Sequence, residues 1–236
     1  MTDVFGMIMR DAAQGQEAVH SIVRDDGYVN ENRGAIYVAD ISEWDHSERL
    51  AIREVKGPVL DIGSGAGRVG LYLREKNIRY TGIDISPLAV QTCKLKGLDD
   101  VHVMPADAIQ LGRSDFNSVV MFGNNFGILG NEEKTAQMLK QLYRVTTPNA
   151  KVYAQSRDVR KTDKPVHLAY HQRNRERGWP IGQVTLKIEY QGEETNWWNL
   201  LMSTPEEMDA IARKAGWYLE KTIGAGDLYI GVLRKV

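Results

Sequence analysis

Short apolar runs alternate with amphipathic stretches through the middle of the chain. Each run is bounded by glycine, proline or polar residues, as in strands that are buried on both faces. The five runs lie at residues 58–62, 78–83, 101–104, 117–122 and 150–155. The helical stretches that separate them lie at residues 66–76, 87–96 and 132–145. This alternation with short connections predicts a doubly wound α/β fold, with a mostly parallel sheet between two layers of helices.

The two flanks of this region follow other patterns. Residues 1–56 are predicted to be helical in parts, with a short extended piece at 35–41. After residue 156 the pattern predicts one helix within 157–178 and then two strands joined by a hairpin-like turn at 191–194. Thr204 begins a capping box with proline at the first helical position. The last two strands are predicted at 217–223 and 228–233, paired as an antiparallel hairpin.

Composition and charge narrow the class of protein. The chain has 236 residues, of which 42% are hydrophobic, and a formal net charge of -1. This balance gives no overall attraction to nucleic acid or anionic lipid, so neither is expected as a partner. The single cysteine, Cys93, excludes an intramolecular disulfide and any multi-cysteine zinc site. With no signal-type segment and no apolar run of roughly 20 residues, a cytoplasmic location is expected.

The clearest chemical signal is a glycine cluster that follows the first strand of the alternating region. It reads VLDIGSGAG, from Val59 to Gly67. Glycine permits a sharp turn and the close approach of a ligand to the backbone. The helix that follows presents free N–H groups, which favour a carboxylate or phosphate.

Three further signals come after the next three strands. Asp84 ends the second strand, 21 positions after Gly63, and a carboxylate at that distance is typical of one that accepts ribose hydroxyls. The triplet at 106–108 and the sequence FGNNFG at 122–127 follow the third and fourth strands. All four signals lie at carboxyl ends of strands, where open α/β sheets bind their ligands.

In their order along the chain, DIGSGAG, GIDIS, ADA and VVMFGNN resemble the successive motifs of class I S-adenosylmethionine-dependent methyltransferases. The resemblance covers residues 57–156 and implies a seven-stranded sheet with its last strand inserted antiparallel. It also implies S-adenosylmethionine as cofactor, with S-adenosylhomocysteine as product. By position, the residues implied to hold the methionine part are Asp61, Gly63, Ser64, Gly65 and Gly67. Those implied at the ribose, the adenine and the methionine amino group are Asp84, Ile85, Asp107, Ala108, Gly123 and Asn124.

Two alternatives remain open. The dinucleotide fingerprint G-x-G-x-x-G fails from Gly63, because position 68 is Arg68, but it occurs in the frame that starts at Gly65. An NAD(P)-dependent oxidoreductase is therefore one alternative, although this frame leaves Asp107 without a role. The other is a non-catalytic relative of the fold that binds the cofactor or nothing.

The acceptor is expected to be a small molecule methylated at nitrogen or oxygen. The fourth motif has no Asn/Asp-Pro-Pro-aromatic string of the kind found in enzymes that methylate nucleobase amines. Arg157-Asp158 stands where metal-dependent relatives carry an Asp-Asn pair, so no metal is predicted. The domain organisation expected is a helical N-terminal lid at 1–56 and a methyltransferase domain at 57–236, with a substrate-covering β-hairpin insertion at 157–203.

Candidate acceptor-site residues come from the insertion and from the lid. The insertion carries the aromatic and histidine side chains His167, Tyr170, His171, Trp179, Tyr190, Trp197 and Trp198. His167 and His171 are four positions apart and share one face of a helix. His167, Tyr170 and His171 are the candidate catalytic residues. From the lid, Tyr28 and Arg33 are candidates for the methionine carboxylate, by resemblance to small-molecule members of the family. The sequence does not indicate an oligomeric state.

Overall fold

The computed structural model describes residues 2–236, which form a seven-stranded sheet, a smaller antiparallel sheet and seven α-helices. The helices are α1 (Val4–Ala13), α2 (His46–Ala51), α3 (Arg68–Glu75), α4 (Pro87–Leu95), α5 (Glu132–Val145), α6 (Pro165–Glu176) and α7 (Pro205–Arg213). The strands are β1 (Val19–Arg24), β2 (Val29–Arg33), β3 (Val59–Ile62), β4 (Tyr80–Asp84), β5 (Val101–Val103), β6 (Phe116–Met121), β7 (Thr146–Arg157), β8 (Gln183–Tyr190), β9 (Glu193–Glu194), β10 (Trp198–Leu201), β11 (Trp217–Ile223) and β12 (Leu228–Lys235). None of the described helices is long and apolar enough to cross a membrane.

The large sheet has the strand order β11-β12-β7-β6-β3-β4-β5. Strands β3 to β7 pair in parallel, and β12 lies antiparallel between β7 and β11. This arrangement confirms the predicted α/β fold class and the predicted antiparallel hairpin at the end of the chain. It also brings the ends of β3, β4, β5 and β6 to one edge of the sheet.

The apolar runs become strands because both faces of this sheet are covered. Along β3, Leu60 and Ile62 belong to the core beneath α5 and α7, while Val59 belongs to the core beneath α2 and α3. The same alternation holds along β6, where Val119 and Val120 face opposite layers. Successive side chains of a strand point to opposite faces, so a strand inside three layers is apolar at most of its positions.

The small sheet joins two segments that lie far apart in the sequence. Its order is β10-β8-β1-β2, with β9 paired to β8. In its centre, Ile22 of β1 lies opposite both Asn30 of β2 and Ile188 of β8. The N-terminal segment is therefore only partly helical, and it contributes a hairpin to the same sheet as the insertion.

The prediction of helices within residues 1–56 agrees with α1 and α2, whereas the prediction of an extended piece at 35–41 is wrong. Gly34–Tyr37 and Ile41–Glu43 are short 3-10 turns that lead from the small sheet to α2. Gly34 explains the first turn, because a Cβ at this position would lie 2.7 Å from the Cβ of Ala18. The backbone passes too close to Ala18 for any larger residue.

Helix α1 lies between the two sheets. Its Ile8 and Ala12 pack with Ile188 of the small sheet. Its Met9 packs with Ala66, in the loop that follows β3. The first helix of the chain thus joins the small sheet to the edge of the large one.

Asp3 fixes the position of α1. Its carboxylate accepts hydrogen bonds from the backbone N–H of Gly6 (2.9 Å), the Ser86 hydroxyl (2.7 Å) and the backbone N–H of Leu88 (3.0 Å). One side chain therefore satisfies N–H groups at the beginnings of both α1 and α4, which normally lack partners within their own helix. This contact holds α1 beside the end of β4.

A close contact between the two sheets predicts the outcome of one substitution. A Cβ at Gly127, just after β6, would lie 1.8 Å from the backbone oxygen of Leu201 in β10. We expect Gly127→Ala to lower the free energy of unfolding by about 1–3 kcal/mol, because the strand must move away. The matched control is Gly226→Ala, where the nearest atom would be 3.9 Å from the new Cβ. Urea unfolding of both variants measures the difference, and equal stabilities would contradict the contact.

Candidate functional site

The loop after β3 requires glycine at three positions. Gly63, Gly65 and Gly67 have φ values of 72°, 55° and 84°, in the left-handed region that other residues rarely adopt. The Asn125 side-chain amide donates to the backbone oxygens of Ile62 (2.9 Å) and Gly63 (3.3 Å). The loop is thereby held against the end of β6.

Asp84, at the end of β4, holds the other side of this loop. One carboxylate oxygen accepts from the backbone N–H of Gly65 and the other from that of Ser86, each at 2.8 Å. Burial raises the pKa of Asp84, while these two N–H groups act in the opposite direction. Each oxygen keeps a further lone pair, so the carboxylate is able to accept two more hydrogen bonds. The next side chain, Ile85, is 72% exposed and presents an apolar surface at this edge.

Asp61 lies inside β3 and is almost fully buried. Burial raises the pKa of its carboxyl group to about 7, against the smaller opposing effects of the Tyr80 hydroxyl and the Arg68 charge. The Tyr80 hydroxyl donates to Asp61 at 3.2 Å. Arg68 is held in place by a two-pronged ion pair with Glu48, both contacts at 2.7 Å. The Asp61 carboxyl group therefore lies directly below the glycine loop, with a pKa close to neutral pH.

The loop after β5 carries Asp107 and Ala108, both exposed. The Gln141 side chain of α5 fixes this loop, since its amide donates to the Asp107 backbone oxygen (2.6 Å) and its oxygen accepts from Ile109 N–H (2.8 Å). The carboxylate of Asp107 therefore projects from an ordered turn at the same sheet edge as Asp84.

At the end of β6, Gly123 and Asn124 also have left-handed backbone, with φ of 74° and 63°. The buried oxygen of Gln155 in β7 accepts from both backbone N–H groups, at 2.5 Å and 3.2 Å. The Asn124 Oδ1 is buried and makes no hydrogen bond within residues 2–236. A buried acceptor without a donor costs free energy, and it points to a ligand that supplies one.

Helix α1 covers the glycine loop. A Cβ at Gly65 would lie 3.3 Å from the terminal methyl carbon of Met9. Tyr37 and Phe5 pack beside Met9, with their ring centroids 5.4 Å apart. The layer over the loop is apolar and comes entirely from the N-terminal segment.

The candidate acceptor residues of α6 differ in what they contact. The Tyr170 hydroxyl donates to Asp25 (2.7 Å) and accepts from the Thr185 backbone N–H (3.2 Å), so it fastens α6 to the small sheet. His171 is buried, which lowers its pKa. His167 lies at the end of the β1–β2 hairpin, where its ring meets that of Tyr28 edge-on, with centroids 5.2 Å apart.

The remaining aromatic residues of the insertion do not gather at one place. Tyr190 and Trp198 pack beneath α1, and the Tyr190 hydroxyl donates to Asp11 at 2.9 Å. Trp179 and Trp197 are exposed at the surface. Arg33 likewise has a largely exposed side chain, paired with the exposed Glu17.

Sequence reasoning missed the residues that hold the site together. Asn125, Gln155, Gln141 and Asp3 each bond to backbone groups of a neighbouring loop or helix. The only sequence signal among them is that Asn125 lies within the fourth motif. The other three come from elements whose neighbours are fixed by the tertiary structure.

Comparison with known proteins agrees with this geometry. Residues 59–149 match the family profile described as a methyltransferase domain. These residues therefore form a methyltransferase domain, and its fold is shared by solved S-adenosylmethionine-dependent methyltransferases. The oxidoreductase alternative is not favoured, because both the profile and the similar structures belong to methyltransferases. Comparison with curated protein sequences gave no significant match.

Solved structures share the fold of this methyltransferase over most of its length. An S-adenosylmethionine-dependent methyltransferase from Bacteroides fragilis, in complex with S-adenosyl-L-homocysteine, aligns with a TM-score of 0.83 and 21% identity, covering 99% of this chain and 95% of that chain. The CcbJ methyltransferase from Streptomyces caelestis aligns with a TM-score of 0.63 and 15% identity, covering 85% and 98%. The small sheet is included in the first of these alignments.

The residues of this methyltransferase fit its cofactor, S-adenosylmethionine. The cofactor has a diol, which suits the free lone pairs of Asp84, and a flat purine, which suits the exposed Ile85. It also has an ammonium group, for which the unpaired Asn124 Oδ1 is a suitable acceptor. Within residues 2–236 no three His, Cys, Asp or Glu side chains are grouped so as to hold a metal ion. The prediction that no metal takes part stays a prediction.

The pKa of Asp61 predicts a pH dependence of stability in the cofactor-free protein. Its ordinary pKa is 3.8 and its folded-state pKa is about 7, so the folded state keeps this proton longer than the unfolded state. The contribution of protonated Asp61 to the free energy of unfolding is therefore fully present below about pH 4. It is lost as the pH rises to about 7. We expect Asp61→Asn, which does not titrate, to gain on the order of 1–3 kcal/mol relative to the wild type over this interval. Urea unfolding of both proteins between pH 4.5 and 8 tests this, and parallel curves would contradict it.

Proposed function

We propose that this methyltransferase transfers the methyl group of S-adenosylmethionine to a nitrogen or oxygen atom of a small molecule. The observation that supports this most is the small sheet. Residues 1–56 and 157–203 pair to form it, and it contacts the large sheet where Gly127 meets Leu201. Together with α1, these two segments form a cover over the carboxyl edge of β3 to β6. A covered edge of this kind suits a small acceptor better than a polymer.

The cofactor residues are proposed as the sequence motifs suggest. Asp84 accepts the ribose hydroxyls and Ile85 contacts the adenine. The methionine part lies along the loop formed by Asp61, Gly63, Ser64, Gly65 and Gly67. Asp107 and Ala108 flank the adenine amino group, and Gly123 and Asn124 lie near the methionine amino group. Tyr28 and Arg33 are left out of this proposal, since one packs on His167 and the other pairs with Glu17.

The chemistry proposed requires mainly alignment. When bound, S-adenosylmethionine supplies a methyl group on a positively charged sulfur, which a nitrogen or oxygen lone pair attacks in line. The protein orients the two partners and excludes water, since α1 and the small sheet cover the edge where they meet. A neutral amine needs no base, whereas a hydroxyl acceptor must give up a proton. The same fold occurs in KedS8, a sugar N-methyltransferase, and in MmcR, a mitomycin 7-O-methyltransferase, so it is compatible with both kinds of acceptor atom.

A direct test is transfer of a labelled methyl group. The purified protein is incubated with S-adenosylmethionine labelled at the methyl group and with fractionated metabolites, and then with RNA and protein fractions. We expect label in a low-molecular-mass product. Label only in RNA or protein would contradict the proposal, as would no binding of S-adenosylhomocysteine in calorimetry.

The proposed contact between Ile85 and adenine can be tested by substitution, because Ile85 is exposed and contributes little to folding. We expect Ile85→Ser to weaken binding of S-adenosylhomocysteine by about 1–2 kcal/mol, roughly 10-fold, through loss of apolar contact. Leu95→Ser is the matched control, since Leu95 is 80% exposed on α4. Calorimetry measures both affinities, and thermal unfolding checks that neither variant is destabilised. Equal affinities in the two variants would remove Ile85 from the site.

A further inference from the structure

His167 lies in a cluster of hydrogen-bonded side chains at the end of the β1–β2 hairpin. Arg24 lies at its centre, with a side chain that is only 8% exposed and a two-pronged ion pair to Asp26 at 2.8 Å and 2.7 Å. Arg24 also donates to the Val166 backbone oxygen (3.2 Å) at the beginning of α6 and to Nδ1 of His167 (3.1 Å). The hairpin and α6 therefore hold the imidazole ring in one orientation.

The contact with Arg24 determines which ring nitrogen of His167 carries the proton. A guanidinium group has N–H donors and no acceptor, so Nδ1 must accept and cannot be protonated. The proton of the neutral ring is then on Nε2. This nitrogen makes no hydrogen bond to any of the described residues 2–236, and the ring is only partly buried. His167 thus presents one unused N–H donor.

The surroundings of the His167 ring favour its neutral form. Charged or titratable groups act on it from the hairpin (Arg24 and Asp26), from the residue before α6 (Lys164), from α6 itself (His171) and from the end of β7 (Arg157). Burial lowers the pKa of His167 first, followed by Arg24 and Lys164, while Asp26 acts in the opposite direction. The ring also lies in the first turn of α6, where the helix dipole disfavours positive charge.

The charges that act on the ring are positive on balance, since Arg24, Lys164 and Arg157 outnumber Asp26. Asp26 balances Arg24, and Asp227 pairs with Arg157. Lys164 makes no ion pair within the described chain, residues 2–236. A cationic group would be repelled here, whereas a lone pair on oxygen, above all one that carries negative charge, would be attracted.

We propose that His167 binds the acceptor as a neutral hydrogen-bond donor through Nε2–H, and that the favoured acceptors present a carboxylate or carbonyl oxygen to it. The inference rests on the proposed function, because it takes His167 as part of the acceptor side of the same site. The charge of Arg157 acts on the ring from the end of β7, two residues beyond Gln155, whose side chain holds Gly123 and Asn124. It differs from a general-base role for this candidate catalytic residue, since the nitrogen that would take up a proton is occupied by Arg24. Tyr28 supports the ring edge-on and Arg24 positions it.

The tautomer and the ligand preference are measured together by nitrogen-15 NMR. The protein is saturated with S-adenosylhomocysteine at pH 7 and titrated separately with benzoate, benzamide and benzylamine. We expect His167 to be protonated at Nε2, and its Nε2 resonance to shift strongly with benzoate, less with benzamide and not with the benzylammonium cation. A ring protonated at Nδ1 would overturn the proposal. Equal shifts with all three probes would also overturn it.

Two substitutions of His167 distinguish a hydrogen-bond donor from a general base. Gln places an amide N–H near the position of Nε2 but takes up no proton near neutral pH. We expect His167→Gln to bind benzoate within about 3-fold of the wild type, and His167→Ala to lose about 3- to 10-fold. His102→Gln is the control, because His102 pairs with Asp100 on the exposed strand β5. Equal losses in the Gln and Ala variants would contradict the donor role.

The two proposals fail in different ways. If S-adenosylhomocysteine does not bind the wild-type protein, the proposed function is wrong whatever the state of His167. If it binds, and benzoate leaves the His167 resonance unchanged, only the role of His167 is wrong. Thermal unfolding of His167→Ala checks that a lost signal does not come from a loosened α6.

Discussion

The structure depends on a backbone that passes through the left-handed region at Gly63, Gly65 and Gly67. Such a turn has little stability of its own, because glycine has more conformational freedom to lose on folding than any other residue. Two side chains from other strands compensate for this cost. The Asn125 amide holds the backbone before the turn, and the Asp84 carboxylate holds its middle. The order of the edge proposed for the cofactor therefore depends on the pairing of β3, β4 and β6.

The cover of the site depends on α1 in a similar way. This helix packs on one side against Ile188 of the small sheet and on the other, through Met9, against the glycine loop. Asp3 fixes its beginning to that of α4. Because α4 begins shortly after Asp84, a change in the position of α1 is transmitted by a single side chain to the carboxylate that we propose as the ribose acceptor. The N-terminal segment is thus part of the site and not an appendage to it.

Neighbouring groups also decide the chemical state of the polar side chains. Asp61 and Asp84 are both carboxylates at the same edge, but Asp84 receives two backbone N–H groups while Asp61 receives only the Tyr80 hydroxyl and is more deeply buried. The same reasoning applies to His167, since a guanidinium at Nδ1 fixes its tautomer. The residue type determines which protonation states and tautomers a side chain can adopt. The groups that contact the side chain determine which of them is favoured.

The sequence alone determined the layered α/β fold, the class of enzyme and the cofactor. The fold follows from local patterns, since strands buried on both faces are mostly apolar and the glycine loop needs its φ values in any context. The class of enzyme and the cofactor follow from the resemblance of the four motifs to those of a known family. The sequence also placed Asp84, Asp107 and Asn124 at one edge, because parallel strands bring their carboxyl ends together.

Only the tertiary structure showed that residues 19–33 form a hairpin in one sheet with residues 183–201. That pairing joins segments more than a hundred residues apart. The local pattern of apolar and polar residues does not indicate which distant strands will pair. The partners of Asp3, Gln155 and His167 could not be predicted for the same reason: a side chain's hydrogen bonds are set by which elements meet in space.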